Sequence, residues 1–271
     1  MKKTFLIVAL ALFAAASAAQ AGEVTVFPKR VVFGDRMRTA EVTLVNQGDR
    51  PLTYRIELIE QRMTPAGTLE AAAPGERSAL ALLRYSPRQV TVAPGAPQTI
   101  RLLLRKPEDL PPGEYRIHLL CRALPAESAG TDVESLGENE GLAVRLVPIP
   151  AVSIPVLVRH GEGLRGSVHL SGLAFDPGAR ALSFRLEREG DVSVYGDLTA
   201  VFQPADGGPE RVVAKTRGMA VYTEIPAIQT RLALDPGPPL AAGRLLLRFN
   251  SRPEDDGGGP AVSAAAEVEI P

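Results

Sequence analysis

The chain has 271 residues, with 30 Lys and Arg against 31 Asp and Glu, three histidines, one cysteine and no tryptophan. So even a charge balance offers no field for nucleic acid or an anionic membrane surface. A single cysteine, Cys121, excludes an intramolecular disulfide, and an aromatic content of 5% leaves few ring faces on which sugars could stack.

Residues 1–21, MKKTFLIVALALFAAASAAQA, have the order of a secretory signal: Lys2 and Lys3, an apolar run from Phe5 to Ala16, then the small-residue site Ala19-Gln20-Ala21. The run falls short of the roughly 20 apolar residues that a membrane-spanning helix needs, and no other such run follows, so no membrane insertion is expected. The expected product is an exported chain starting near Gly22, with the periplasm as its bacterial address. Its length suits two domains of roughly 120 residues each.

After the leader, helical periodicity is almost absent. Alternating apolar runs are predicted as strands at 24–32, 39–45, 53–61, 89–92, 99–105 and 115–124. Turn signals separate them, among them Asn46-Gln47-Gly48-Asp49, Pro65-Ala66-Gly67 and Pro111-Pro112-Gly113. Residues 126–141, small and acidic, read as a loop. The stretch 142–158, LAVRLVPIPAVSIPVLV, then carries an apolar residue at every second position, which is strand periodicity over an unusual length. Its three prolines disfavour a central place in a ladder and point to an edge strand with an apolar face. Such an edge, left uncovered, invites a partner that adds a strand to it.

A break at His160-Gly161-Glu162-Gly163 restarts the pattern, with strands predicted at 165–171, 181–187, 192–203, 210–216, 219–223, 229–234, 243–249 and 261–269. The fold class expected is therefore all-β: an immunoglobulin-like sandwich over 22–160 and a second β-sandwich over 161–271.

Chemistry-bearing residues are sparse. His118, His160 and His169 fit no zinc spacing, no serine stands in a nucleophile elbow, and no glycine-rich turn opens a helix to cradle phosphate. These absences argue against an enzyme, a metal site and a cofactor. Asp255-Asp256, in a glycine loop, reads as solvated. Cys121 lies in an alternating run and reads as a small core residue. Arg30 ends the first strand and Arg159 the long one; a guanidinium at either place suits a carboxylate.

Several pieces, in order, resemble the periplasmic chaperones of chaperone–usher pilus assembly. They are Arg30-Val31-Val32-Phe33; Thr43 to Pro51, leading to Tyr54; Tyr85 to Val90; Pro94-Gly95 with Gln98 and Arg101; Asp109 to Arg116; and Ile154 to Arg159. They cover nearly all of the first domain, whereas the second matches mainly by position and β pattern. The resemblance implies two immunoglobulin-like domains in an L or boomerang arrangement. It also implies a non-enzymatic, nucleotide-free role: capture of pilus subunits that lack their last strand, and release to an outer-membrane usher. The residues expected to enter the subunit's groove are Leu142, Val144, Leu146 and Pro148.

The resemblance further implies that Arg30 anchors the subunit's terminal carboxylate. The lysine that family members place near the end of the long strand falls on Pro155, a departure from the pattern. Arg159 matches an interdomain arginine whose acidic partner would be Asp255 or Asp256, with Asp256 preferred. The exposed strand leaves self-association open. A different class of reading is a secreted immunoglobulin-like adhesion or structural module, itself subunit-like.

Overall fold

The computed structural model describes residues 24–34, 36–125 and 149–271. Among the described residues eleven strands run up to and include His160: β1 (Val24–Phe27), β2 (Val31–Phe33), β3 (Thr39–Asn46), β4 (Leu52–Ile59), β5 (Gln61–Met63), β6 (Leu69–Ala71), β7 (Leu83–Ser86), β8 (Gln89–Val92), β9 (Pro97–Leu104), β10 (Gly113–Ala123) and β11 (Ala151–His160). Seven follow it: β12 (Gly166–Asp176), β13 (Ala181–Gly190), β14 (Val194–Pro204), β15 (Arg211–Val221), β16 (Ala227–Ala233), β17 (Gly243–Ser251) and β18 (Ser263–Ile270).

They build two sandwiches. In the first, a sheet ordered β1-β3-β9-β7 faces one ordered β2-β11-β10-β4-β8; in the second, β12-β13-β16 faces β15-β14-β17-β18. The fold is all-β, two immunoglobulin-like sandwiches in series. No helix among the described residues is long and apolar enough to cross a membrane.

Alternation explains the first core. On β3, Ala40, Val42 and Leu44 turn inward; on β9, Ile100, Leu102 and Leu104 meet them. On β10, Tyr115, Ile117, Leu119 and Cys121 face the same core, so Glu114, Arg116 and His118 must face the other side of the sheet. Asn46 ends β3 fully buried. Its side-chain N–H donates to the Arg50 and Val92 carbonyls at 2.7 and 3.0 Å, and its carbonyl oxygen accepts the Gly48 N–H at 3.0 Å. One amide thus closes the turn that the sequence marks there.

The structure departs from the sequence expectations in several places, β7 among them, and part of one expectation, the long strand, lies outside the described residues. The run 24–32 is two strands: β1 pairs with β3 in one sheet, β2 with β11 in the other, and the chain changes sheets between them. The segments 210–216 and 219–223 are one strand, β15, whose register with β14 slips between Leu198↔Thr216 and Gly196↔Met219, around Gly218 at φ 73°. The long strand is described only as Ala151–His160; Leu142, Val144, Leu146 and Pro148 lie outside the described residues.

One further departure shapes the molecule most. The predicted strand 53–61 ends at Ile59, and β5 and β6 form a separate hairpin arm. The arm leaves the first sandwich and docks on the second. Met63, 5% exposed, belongs to the second core, and a Cβ added to Gly67, at φ 82°, would stand 3.4 Å from Ile228 Cδ1. The Pro65 carbonyl accepts the Gln229 N–H at 2.8 Å, covering part of β16, an edge strand.

Candidate functional site: the open edge of β11 and the domain junction

β11 is half enclosed. Along its whole length it pairs antiparallel with β10, from Ala151↔Arg122 to His160↔Gly113. On the other side β2 covers only Val156–Val158. Residues 151–155 therefore border no second strand among the described residues, and their outer edge is free. Proline is tolerated at 155 because such a stretch does not sit in a closed ladder. Ile154, Val156 and Val158 enter the first core, whereas Arg159, on the opposite face, reaches the second domain.

That face meets the second domain through a buried ion network. Arg159 donates from Nε to Glu114 Oε2 at 3.0 Å, from Nη2 to Asp256 Oδ2 at 2.8 Å and from Nη1 to the Asp256 carbonyl at 2.8 Å. Arg30 donates from Nε to the other Asp256 oxygen, Oδ1, at 2.9 Å and from Nη2 to Ser193 Oγ at 3.0 Å. The Ser193 N–H returns to the Glu114 carboxylate at 3.2 Å. Burial would lower the Arg159 pKa, but the charges of Glu114 and Asp256 outweigh it, and the net direction is up.

Local sequence brings Asp256 there. A 3-10 turn at Pro253–Asp255 follows β17, and glycines 257–259 let the chain fold tightly over the arginines. A Cβ on Gly259 would stand 2.4 Å from Asp256 Oδ2 and 2.6 Å from Arg159 Nη1. Asp255, the neighbouring carboxylate, pairs with Arg252 at 2.5 Å instead.

The family resemblance pointed Arg30 at a carboxylate from outside. The carboxylate on it in the structure is the chain's own Asp256, and its side chain is 2% exposed. Tyr195 and Tyr222 roof the guanidinium, at 4.7 and 5.8 Å from their ring centres. Its Nη1 keeps no acceptor.

Tyr222 also carries Arg116, whose guanidinium carbon is 3.8 Å from the ring centre, and meets His118 edge to face at 6.2 Å. Arg116 ion-pairs with Glu224 and donates to the Gln61 carbonyl at 2.9 Å. His118 pairs in register with Pro155, is 1% exposed, and has no hydrogen-bond partner on either nitrogen. Burial first, then the charges of Arg116 and Arg30, push its pKa down to about 3, so it is neutral. His160 stands 3.4 Å from Lys106, and no group of three or more His, Cys, Asp or Glu able to hold a metal occurs among the described residues.

Sequence reasoning left Glu114, Ser193, Tyr195, Tyr222 and Glu224 without a role. Their partners lie from 45 positions away (Glu114 to Arg159) to 192 (Tyr222 to Arg30), so no local spacing could reveal them. The usable signal was narrow: an acid, an arginine and a histidine on the solvent parity of a strand whose other parity is core.

No family model and no curated protein matches the chain. Comparison with solved structures finds chaperones of pilus assembly. The YadV chaperone is 14% identical, with 91% of this chain and 100% of that one covered and a TM-score of 0.48. The Pseudomonas aeruginosa CupB2 chaperone is 12% identical over 91% and 100%, with a TM-score of 0.46. The CsuC–CsuE chaperone–tip adhesion subunit pre-assembly complex, from archaic chaperone–usher Csu pili of Acinetobacter baumannii, is 13% identical over 91% and 97%, at 0.44.

Proposed function

We propose that the chain is a periplasmic chaperone that binds and caps pilus subunits by lending them a strand, then yields them to an outer-membrane usher. The observation that carries this reading is the open side of β11 at residues 151–155, next to a first core that takes every second residue of the same strand. Main-chain groups on an open edge pair with an incoming strand, and alternate side chains enter its pockets.

The residues offered to the subunit's groove are Leu142, Val144, Leu146 and Pro148. They share the sequence parity of Ile154, Val156 and Val158, which enter an apolar core. Each large aliphatic group so buried contributes roughly 1.5–3 kcal/mol before ordering costs, enough to hold a subunit yet replaceable group by group by a competing strand. The ordered residues from Arg30 to Arg159 that resemble the pilus chaperones support the same reading. No catalytic step, nucleotide or metal enters it.

Co-expression with the subunit genes neighbouring its own tests the proposal. Wild type is expected to co-purify with a small β-rich subunit that is degraded in its absence. Val144→Asp puts a charge into the groove and Ser153→Pro removes an N–H that points away from β10 on the open edge; each is expected to lose the subunit. Retention of the subunit at wild-type yield by both variants overturns the strand-lending reading.

A further inference from the structure

The even charge of the whole chain hides a segregated face. In the sheet β15-β14-β17-β18, Leu198, Ala200 and Phe202 of β14 and Leu245, Leu247 and Phe249 of β17 enter the second core, so the residues between them face outward. Tyr195 begins this outer face and covers Arg30 at the domain junction. Further along β14 the strand registers lay out two rows. One is Lys215–Thr199–Arg248, two cations flanking a threonine, with Arg217 two positions along β15. The next is Val212–Val201–Leu246, an apolar row across the same three strands.

Lys215, Arg217 and Arg248 are exposed, and none of them forms an ion pair or a hydrogen bond with a described residue. Lys215 and Arg248 stand two strand spacings apart, about 10 Å, close enough for their fields to add. The acids nearby are taken. Asp197 accepts the Gly218 N–H at 3.0 Å and faces Arg252 at 3.6 Å. Glu267 and Glu269, on β18 at the margin, both pair with Arg244. Val212 is 58% exposed, and among the described residues it is the one large apolar side chain of the second sandwich that stands clear.

Three uncompensated cations beside a shallow apolar row suit an anionic surface. A protein partner would need carboxylates set at the spacing of these cations, and ordering long side chains that nothing holds would cost entropy. Lipid headgroups are many, equivalent and laterally mobile, so they meet the cations wherever these lie. We infer that this face rests on an anionic phospholipid layer, with Lys215, Arg217 and Arg248 over the headgroups and Val212 at their level. Among the described residues no aromatic ring or long aliphatic chain stands out beside Val212 to enter the acyl region, so the contact is peripheral. The inference goes beyond the proposed function and is independent of the open edge of β11, which belongs to the other sandwich.

Co-sedimentation of the chain without residues 1–21 with lipid vesicles tests it. One set of vesicles is phosphatidylcholine alone; the other contains phosphatidylglycerol in equal part. Binding is expected only to the second set and should disappear in high salt, which screens exposed charges. Lys215→Gln and Arg248→Gln should each weaken it about fivefold, the equivalent of the ~1 kcal/mol that one cation gains near an anionic leaflet.

Arg55→Gln removes an exposed cation of the first sandwich that has no ion pair among the described residues, and should leave binding unchanged. Glu267→Gln takes a negative charge off the face itself and should tighten binding, a gain that misfolding cannot produce. Equal binding to both vesicle sets, binding that survives high salt, or equal losses for Arg55→Gln and Lys215→Gln overturns the inference. Polyglutamate bound more tightly than the vesicles, charge for charge and with the same losses, overturns the lipid layer as occupant. Subunit capture plays no part in the measurement, so failure here leaves the proposed function standing.

Discussion

Arg159 and Asp256 face each other across the domain junction, with Nη2 2.8 Å from Oδ2 and both side chains largely buried. The same carboxylate takes Arg30 on its other oxygen. Two cations therefore share one acid, and Glu114 supplies the second negative charge. Removing Arg159 leaves Glu114 short of its ion pair and unbalances a buried cluster. Arg159→Ala is expected to cost about 3–5 kcal/mol, as broken buried pairs do. Arg159→Lys should recover only part, because an ammonium cannot reach both acids with a planar fork. Urea unfolding of the three proteins checks this; a loss under about 1 kcal/mol for the alanine variant would contradict it.

His118 makes the junction sensitive to acid. Its pKa in the folded chain is pushed down to about 3, while unfolded it returns to the ordinary imidazole value of 6.5. Between those values the unfolded chain binds more protons, so stability rises with pH across that window. The contribution is complete above pH 6.5 and is lost as pH falls, at about 1.4 kcal/mol per unit. Arg116, Arg30 and Tyr222 are the charged and titratable groups around the ring. His118→Leu removes the titration. Its stability relative to wild type should improve steadily from pH 6.5 to 4.5, while carboxylate effects common to both cancel. A constant difference over that range would refute the assignment.

Cys121 is fully buried in the first core, and burial pushes its thiol up to about 12. A thiolate is the reactive form, so the folded chain should resist an aromatic disulfide reagent at pH 8. Addition of urea past the unfolding midpoint should release one equivalent of thiol. Rapid labelling of the folded chain would mean that the β10 core opens far more often than its packing allows.

Legibility in the sequence followed the range of each interaction. Strands with one wet face announced themselves: β8 falls on Gln89–Val92 as predicted, and β3, β9 and β10 shift by one or two residues at their ends. Period two is written by one core acting on neighbouring residues, so it is local. The arm was invisible because β5 and β6 have three residues each and only Met63 among them is buried. The pairing that gives it purpose, Met63 and Pro65 against Glu224 and Gln229, spans some 160 positions. Arg30 shows the same limit from the other side. Its residue type and its place at a strand end foretold a carboxylate but not whose, and the answer lay 226 positions downstream.

The arm changes what kind of object the chain is. Two sandwiches joined by a short linker would ordinarily be separable beads, each melting on its own. Here one bead keeps a thumb in the other: the second core holds a methionine encoded just over a hundred residues before that core's own first strand. Cutting at residue 160 would leave a methionine-sized hollow and strip the Gln229 N–H on β16 of its acceptor. The two sandwiches therefore behave as one welded bracket.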